Sequence, residues 1–412
     1  MTADGDTKLK RGMLWNSIGS LFYFGCQWLT TILVVRLSSS YEAAGTLSLA
    51  MAIANLFTPF ALYRMRTFQV TDVNDDFCTG EYMGFRIETS SIALATCIIY
   101  SVFTCPGNTV LPITCFLILK FVEQIIDVMH GLDQKNGYLE YAGKSLLIRG
   151  FLTVGCFSGS LIIAHNLSVA FLSMALVSLA FAFIYDVPKA SQFDSLAPIF
   201  SKRVFAALFK TCFPIVIASI LSGAVMTIPK QLIGSILGQD YLGIYSSIAS
   251  PVAVVQLGAS YLYSPLLGVF AESFQNGDAK SFSNLFRKLS TMILIIGLIG
   301  SVTLRGLAPI YLGLLFGNSI IQFSYLIIPM VLCTLVTAYY QFISDVLLAT
   351  REYRWNSVAG VVAFIISIPL SYALIGSFGM NGVSFTGIAS YAISALLSIV
   401  AMSKQMSRRV SA

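Results

Sequence analysis

The chain has 412 residues, 56% of them hydrophobic and 11% charged, with a mean hydropathy of +0.80 and a formal net charge of +6. A water-soluble globular chain carries about 25% charged residues and about 45–50% apolar ones. There is too little polar material to coat a water-facing surface of this size, which excludes a soluble enzyme and indicates an integral membrane protein.

The N-terminus has a polar, mildly basic lead before a long apolar segment with no small-residue cleavage site. That pattern predicts a retained first helix, not a signal peptide. With about 20 mostly apolar residues per span, the first half reads as spans near 13–35, 43–63, 86–105, 109–129, 146–165 and 167–186. The second half reads as spans near 208–229, 241–269, 288–308, 321–348, 355–376 and 381–402. The apolar runs are continuous, whereas a membrane barrel alternates in tracts of about 10 residues. The predicted fold class is therefore an all-α polytopic membrane protein with twelve transmembrane helices in two pseudo-symmetric six-helix lobes.

Most Lys and Arg fall on one side of this arrangement, among them Arg11, Arg66, Arg86, Lys135, Lys144, Lys202, Arg203, Lys280, Arg287, Lys288 and Lys404. Positive charge favours the cytoplasmic side, so both termini are expected in the cytoplasm. The net positive charge is then a matter of topology and calls for no nucleic-acid partner. Arg36, Lys230 and Arg305 fall near outer ends of spans, and outer loops are short. The longest polar stretch, "DVPKASQFDSLAPIFSKR" (186–203), divides the chain into an N-terminal lobe (1–187), a cytoplasmic linker (188–206) and a C-terminal lobe (207–412).

The halves repeat weakly. "YEAAGTLSLA" (41–50) aligns with "QDYLGIYSSI" (239–248). "EQIIDVMHG" (123–131) aligns with "QFISDVLLA" (341–349) after a one-residue slip, which matches Asp127 to Asp345. Six spans per half make the repeat parallel, a ground plan of transporters that rock two bundles about a central site.

Span four, "FLILKFVEQIIDVMHGLDQ" (116–134), carries Lys120, Glu123, Gln124 and Asp127. At about 100° per residue these share one face. A charge at the bilayer centre costs about 2.5–3.5 kcal/mol on insertion scales, so the stripe is expected to face a wet cavity as a binding or coupling surface. Lys120 and Glu123, three apart, can pair. The bland alternative is an interhelical salt bridge near the cytoplasmic end, where Asp127 is simply solvated. Asn16 and Gln27 share a face of span one, Asn55 lies in span two, and Arg149 and Lys210 start spans five and seven. Gln341 and Asp345 share a face of span ten. Taken singly, each is explained by snorkelling or a helix-to-helix hydrogen bond. Pro59, Pro214, Pro229, Pro251 and Pro265 fall in or at the ends of spans, and span eight, carrying two, reads as overlong and bent.

Soluble-enzyme motifs are absent. "GYLEYAGKS" (137–145) has five residues between its glycines where a phosphate loop has four, and no strand precedes it. His130 and His165 read as isolated. The eight cysteines form no CxxC pair and read as small apolar residues.

Four stretches carry a family resemblance: "VVRLSSSYEAAGTLS" (34–48), "LAPIYLGLLFG" (307–317), "DVLLATREYRWNSVAGVV" (345–362, with Ala349, Thr350 and Arg351) and the Gly-x-x-Gly turn of "GSFGMNGVSFTG" (376–387). They resemble Wzx-type polysaccharide flippases of the multidrug/oligosaccharidyl-lipid/polysaccharide exporter superfamily. The Leu-Gly that usually follows the first-turn arginine is missing. The several span-one arginines of the related lipid II flippases are missing too, and those proteins have fourteen spans. The resemblance implies a V-shaped pair of lobes around a cationic cavity, alternating access, and residence in the cytoplasmic membrane. The implied cargo is an undecaprenyl-diphosphate-linked oligosaccharide repeat unit. The implied drive is a cargo gradient or an H+ or Na+ gradient, with no other cofactor and no metal. Membrane lipids, a polymerase and other polysaccharide assembly proteins are the implied partners.

Joined with the charge pattern, this assigns Lys120, Arg149, Lys210, Arg36 and Arg305 to the anionic head group. Glu123, Asn16 and Asn55 are expected beside them. Asp127, Asp345 and Gln341 are the expected ion-coupling residues. Two alternatives stand against the flippase: a cation-coupled drug or metabolite exporter of the same superfamily, and a membrane-embedded polymerase or transferase. The second needs a catalytic acid, base or histidine near a substrate-facing loop, and the short loops and unpartnered histidines disfavour it. No enzyme activity is expected.

Overall fold

The computed structural model describes residues 3–38, 40–63, 65–72, 77–263, 266–350 and 352–410. Pro265 and Arg351 lie outside the described residues. The first group of helices is α1 (Ala3–Leu37), α2 (Glu42–Leu62), the short α3 (Met65–Thr71), α4 (Thr79–Thr104), α5 (Gly107–Lys135), α6 (Leu139–Ala164) and α7 (Leu167–Phe181). A π-helical turn, Ala182–Asp186, joins α7 to α8 (Val187–Ala190). Next come α9 (Lys202–Ile236), α10 (Gln239–Tyr263), α11 (Leu267–Gln275), α12 (Ala279–Gly306), α13 (Ala308–Phe316), a 3-10 segment Asn318–Leu326, α14 (Ile327–Ala349), α15 (Tyr353–Phe378) and α16 (Asn381–Val410).

Among the described residues, eleven helices are long and apolar enough to cross a membrane. The 35-residue α9 covers the seventh predicted span. Exposure is inverted relative to a water-soluble protein: Phe103 and Ile163 are each 83% exposed, while Arg86, Ser145 and Ser384 are fully buried. Apolar side chains face outward because the solvent there is hydrocarbon, and polar groups turn in to find partners.

The chain packs into two compact units, 1–220 and 221–412, divided within α9. In the first unit α2 packs on α4 and α5, α4 on α5, α5 on α7, and α6 on α7. In the second, α10 packs on α12 and α14, α12 on α14, α14 on α16, and α15 on α16. The same span-to-span pairing recurs in the same chain order, so the repeat read weakly from sequence is present in the packing of each unit.

Local chemistry sets the boundaries. Asn166 caps α7, accepting from the backbone N–H of Ser168 and Val169 at 2.8 and 3.3 Å. Asp278 caps α12 through Ser281 N–H at 2.9 Å. The Gly-x-x-Gly turn has a steric basis. Gly379 has φ +57°, and a Cβ on Gly382 would lie 2.5 Å from the Leu374 backbone.

Several details differ from expectation. The predicted eighth span, 241–269, divides into α10, ending at Tyr263, and the separate α11. Part of "LAPIYLGLLFG" is helical, as α13. Arg149 and Lys210 do not start their helices. α6 begins at Leu139 and α9 at Lys202, so both residues lie well inside, because the flanking polar residues continue the helix beyond the apolar core.

The linker is also not free-running. Ile199 N–H donates to Gly80 O at 2.8 Å, and Thr79 N–H donates to Asp194 Oδ2 at 3.1 Å. The hydrogen bonds from Thr79 hold the Asp194 carboxyl below its ordinary range. Cβ atoms on Gly80 or Gly84 would lie 2.5 and 2.2 Å from the backbone oxygens of Ala197 and Ile199. The segment is strapped onto α4.

The tightest helix contact is α1 on α6. A Cβ on Gly19 would lie 2.0 Å from Gly143 O, and one on Gly143 would lie 2.3 Å from Trp15 O. This is small-residue packing, which brings membrane helices to backbone contact. Gly143→Val forces the two backbones apart. It is expected to destabilise the protein by at least the ~1–3 kcal/mol of core overpacking, read as a lowered thermal midpoint in detergent; an unchanged midpoint contradicts the crossing.

Candidate functional site

The polar residues of α5 separate into three groups along the helix, all within the first unit. Nearest the middle, Lys120 Nζ lies 2.9 Å from Glu123 Oε2 and 5.3 Å from the centroid of the Phe116 ring. The Tyr23 hydroxyl donates to Glu123 Oε1. The Arg149 guanidinium lies 5.2 Å from the centroid of the same Tyr23 ring, and it acts electrostatically on Glu123. Arg149 is 3% exposed, and its Nε and Nη1 have no acceptor among the described residues. Side chains from α1, α5 and α6 thus form one cluster. Its cation–π contact is worth about 2 kcal/mol or more when desolvated, but the unmade guanidinium hydrogen bonds cost about 1–3 kcal/mol. The cluster carries an unmet demand for an acceptor. Lys120 and Gln124 also border a narrow crevice with Ala54 and Phe57 of α2 and Ala93 of α4.

One turn on, Asp127 is held by two arginines. Arg66 Nη1 reaches Oδ1 and Arg86 Nη2 reaches Oδ2, both at 3.0 Å. Arg66 Nε also donates to Gln134 Oε1 at 3.1 Å, and Arg86 Nη1 to Ala61 O at 3.3 Å. Both carboxylate oxygens are taken, and the residue ties α3 and α4 to α5 in an interhelical salt bridge. A further turn along, His130 Nε2 lies 3.2 Å from Asp186 Oδ1. The reading of His130 as isolated is therefore corrected: its partner is 56 residues away, at the end of the π turn, beyond the reach of a local motif search.

The remaining predicted residues are placed as follows. Asn16 lies at the α1–α6 crossing with Oδ1 buried and unbonded. Asn55, Lys210 and Arg36 are exposed on α2, α9 and the last turn of α1. The second unit holds the other three. Arg305 is exposed and donates to Ser324 Oγ at 3.0 Å. Asp345 accepts from the Tyr263 hydroxyl at 2.8 Å, and Gln341 is exposed. The structure thus brings Lys120, Glu123 and Arg149 together and leaves Lys210, Arg36 and Asn55 outside that cluster. Sequence reasoning missed Tyr23, yet a signal existed. Seven residues after Asn16 and four before Gln27, Tyr23 lies on the face those two define. Among the described residues no three His, Cys, Asp or Glu side chains converge to hold a metal.

At the other end of the unit, Leu37, Ser38, Glu42, Thr46, Asn108 and His165 line a cavity of about 540 Å³. Asn108 Nδ2 donates to Glu42 Oε1 there at 3.0 Å.

No protein-family model matches the chain. Its sequence is similar to the capsular polysaccharide biosynthesis protein CapF of Staphylococcus aureus, with 24% identity over 364 residues, 88% of this chain and 91% of that protein. Its fold is similar to an inward-facing multidrug resistance MATE family transporter of the MOP superfamily, with TM-score 0.74, 10% identity, and 97% and 98% of the two chains covered. It is also similar to the lipid II flippase MurJ, with TM-score 0.71, 14% identity, and 97% and 90% covered. The chain thus shares its fold with these two solved transporters, and its sequence resembles that of a capsular polysaccharide biosynthesis protein.

Asp127→Asn leaves the fully buried Arg86 without its counter-charge. Breaking a buried pair costs about 3–5 kcal/mol, read as a lowered thermal midpoint; Arg86→Met combined with Asp127→Leu is expected to recover part of it. Full stability of Asp127→Asn alone contradicts this account.

Proposed function

We propose that the protein is a flippase that turns a polyprenyl-diphosphate-linked oligosaccharide across the cytoplasmic membrane by alternating access, for assembly of a surface polysaccharide. Both termini lie in the cytoplasm on this reading, and a polymerase receives the product. The observation that carries it is Arg149, a buried guanidinium with two N–H-bearing nitrogens lacking acceptors beside Lys120. A diphosphate offers the oxygens such a group lacks, and arginine matches phosphate geometry. Glu123 and Tyr23 hold the two cations in place while the site is empty. The relative in capsular polysaccharide biosynthesis and the exporter fold support the same class.

No reacting centre is needed. Flipping breaks no covalent bond, and what the protein supplies is a polar environment for the head group at membrane depth while the lipid tail stays in hydrocarbon. Lys210, Arg36 and Arg305, exposed on their helices, are assigned to the head group's entry and exit. An H+ or Na+ gradient provides the drive, with Asp345 and Gln341 on α14 as the residues of the second unit assigned to it.

Purified protein in vesicles loaded with a polyprenyl-diphosphate oligosaccharide tests this, with cargo accessibility in the far leaflet as the readout. A charge-assisted hydrogen bond is worth about 1.5–3 kcal/mol, so Arg149→Gln and Lys120→Ala should each slow flipping by about 10–100-fold with membrane insertion intact. Wild-type rates in both variants remove the cluster from the cargo path. Asp345→Asn should change the response to an imposed proton or sodium gradient more than cargo binding; an unaltered gradient response withdraws that assignment.

A further inference from the structure

We infer that His130, Asp186 and Asp133 form a buried proton-binding site at the Lys135 end of α5, separate from the Lys120–Glu123–Arg149 cluster. His130 and Asp133 are three apart on α5 and so share a face. Asp186 ends the π turn and meets His130 from the opposite element at 3.2 Å. The three side chains are 3%, 1% and 1% exposed. Asp186 Oδ2 and Asp133 Oδ1 are each buried without a hydrogen-bond donor, and the two carboxyl groups act on one another electrostatically.

The surrounding charges do not answer these oxygens. Arg149 on α6 and Arg66 on α3 act on His130 at a distance, and Arg66 and Lys189 act on Asp133. Arg66 is already committed to Asp127 and Gln134. Lys189 Nζ lies over the Tyr141 ring, 4.9 Å from its centroid. Tyr185 on the π turn feels both carboxyl groups, and Tyr141 and Glu140 on α6 act on Tyr185 in turn. None donates a hydrogen bond to either orphaned oxygen.

Two mutually repelling carboxylates are costly to keep ionised away from water, and a proton on the one without a partner is the cheapest remedy. In the loaded state a proton sits on the Asp133 carboxyl, while neutral His130 donates its Nε2–H to Asp186. Unloading returns that one proton to water and leaves Asp133 and Asp186 both ionised, with neutral His130 still donating its Nε2–H to Asp186. No other reactant enters, and the protons belong to the trio as a coupled set. The π turn that ends at Asp186 interrupts the regular helical ladder, as such turns often do at functional sites. Use of this proton as a transport drive rests on the flippase reading; its binding does not.

The test therefore uses no cargo. Full-length protein in lipid nanodiscs is taken from mildly alkaline to mildly acidic buffer, and infrared difference spectra follow the stretch of protonated carboxyl groups. Wild-type protein should show a band at a frequency typical of an apolar environment. Asp133→Asn should lose it and take up one proton fewer per chain, and His130→Gln should shift its titration. Asp186→Asn should shift it too; if that variant does not fold, Asp133→Asn and His130→Gln carry the test. Wild-type spectra lacking a titrating buried carboxyl band, or the same band in wild type and Asp133→Asn, overturn the inference. A wild-type protein that binds the proton but moves no lipid-linked sugar overturns the cargo reading alone.

Discussion

The first unit depends on one constraint: a charge placed in hydrocarbon must find its counter-charge inside the protein. Asp127 meets it for two arginines at once. Arg86, with no exposed surface, would be prohibitively costly at that depth without this partner and the Ala61 carbonyl. Because the carboxylate is gripped from two sides, the azimuth of α5 is fixed. That rotation points Glu123, one turn earlier, at Tyr23, and His130, one turn later, at Asp186. The clamp organises the polar interior, and the groups above and below it are left with demands it does not satisfy.

The two halves share helix pairing, and each seats an acid at the matched position. Asp345, matched to Asp127 by the repeat, accepts a tyrosine hydroxyl, whereas Asp127 takes two guanidinium groups. Such packing requires only apolar and small residues at the right spacing.

Much of the architecture was legible in the sequence. Apolar runs gave the spans, and the spacing of Lys120 and Glu123 gave their ion pair, because both signals are local in sequence. What stayed hidden is long-range. His130 and Asp186 lie on different helices, and so do Tyr23 and Glu123; nothing in either segment announces the other. Arg66 and Arg86 were counted only as topological charge because they precede or begin apolar runs. Their direction, inward to Asp127, depends on how three helices meet. The inner ends of α6 and α9 were misjudged for a related reason. Polar residues such as Lys144 and Arg203 continue a helix as well as apolar ones do, so hydropathy marks where a span is oily and not where its backbone ends.

The stretch between α8 and α9 looks like spacer by composition, yet its backbone lies in contact with Gly80 and Gly84 and is tied there by Ile199 and Asp194. Tolerance to insertion follows burial and bonding of the backbone, not polarity. An epitope, protease site or fluorescent tag engineered into 191–201 would thus have to peel this segment from its seat. The exposed Asn136–Gly137 tip between α5 and α6, where Gly137 has φ +78° and no neighbour against its face, is the better place to cut or label the chain.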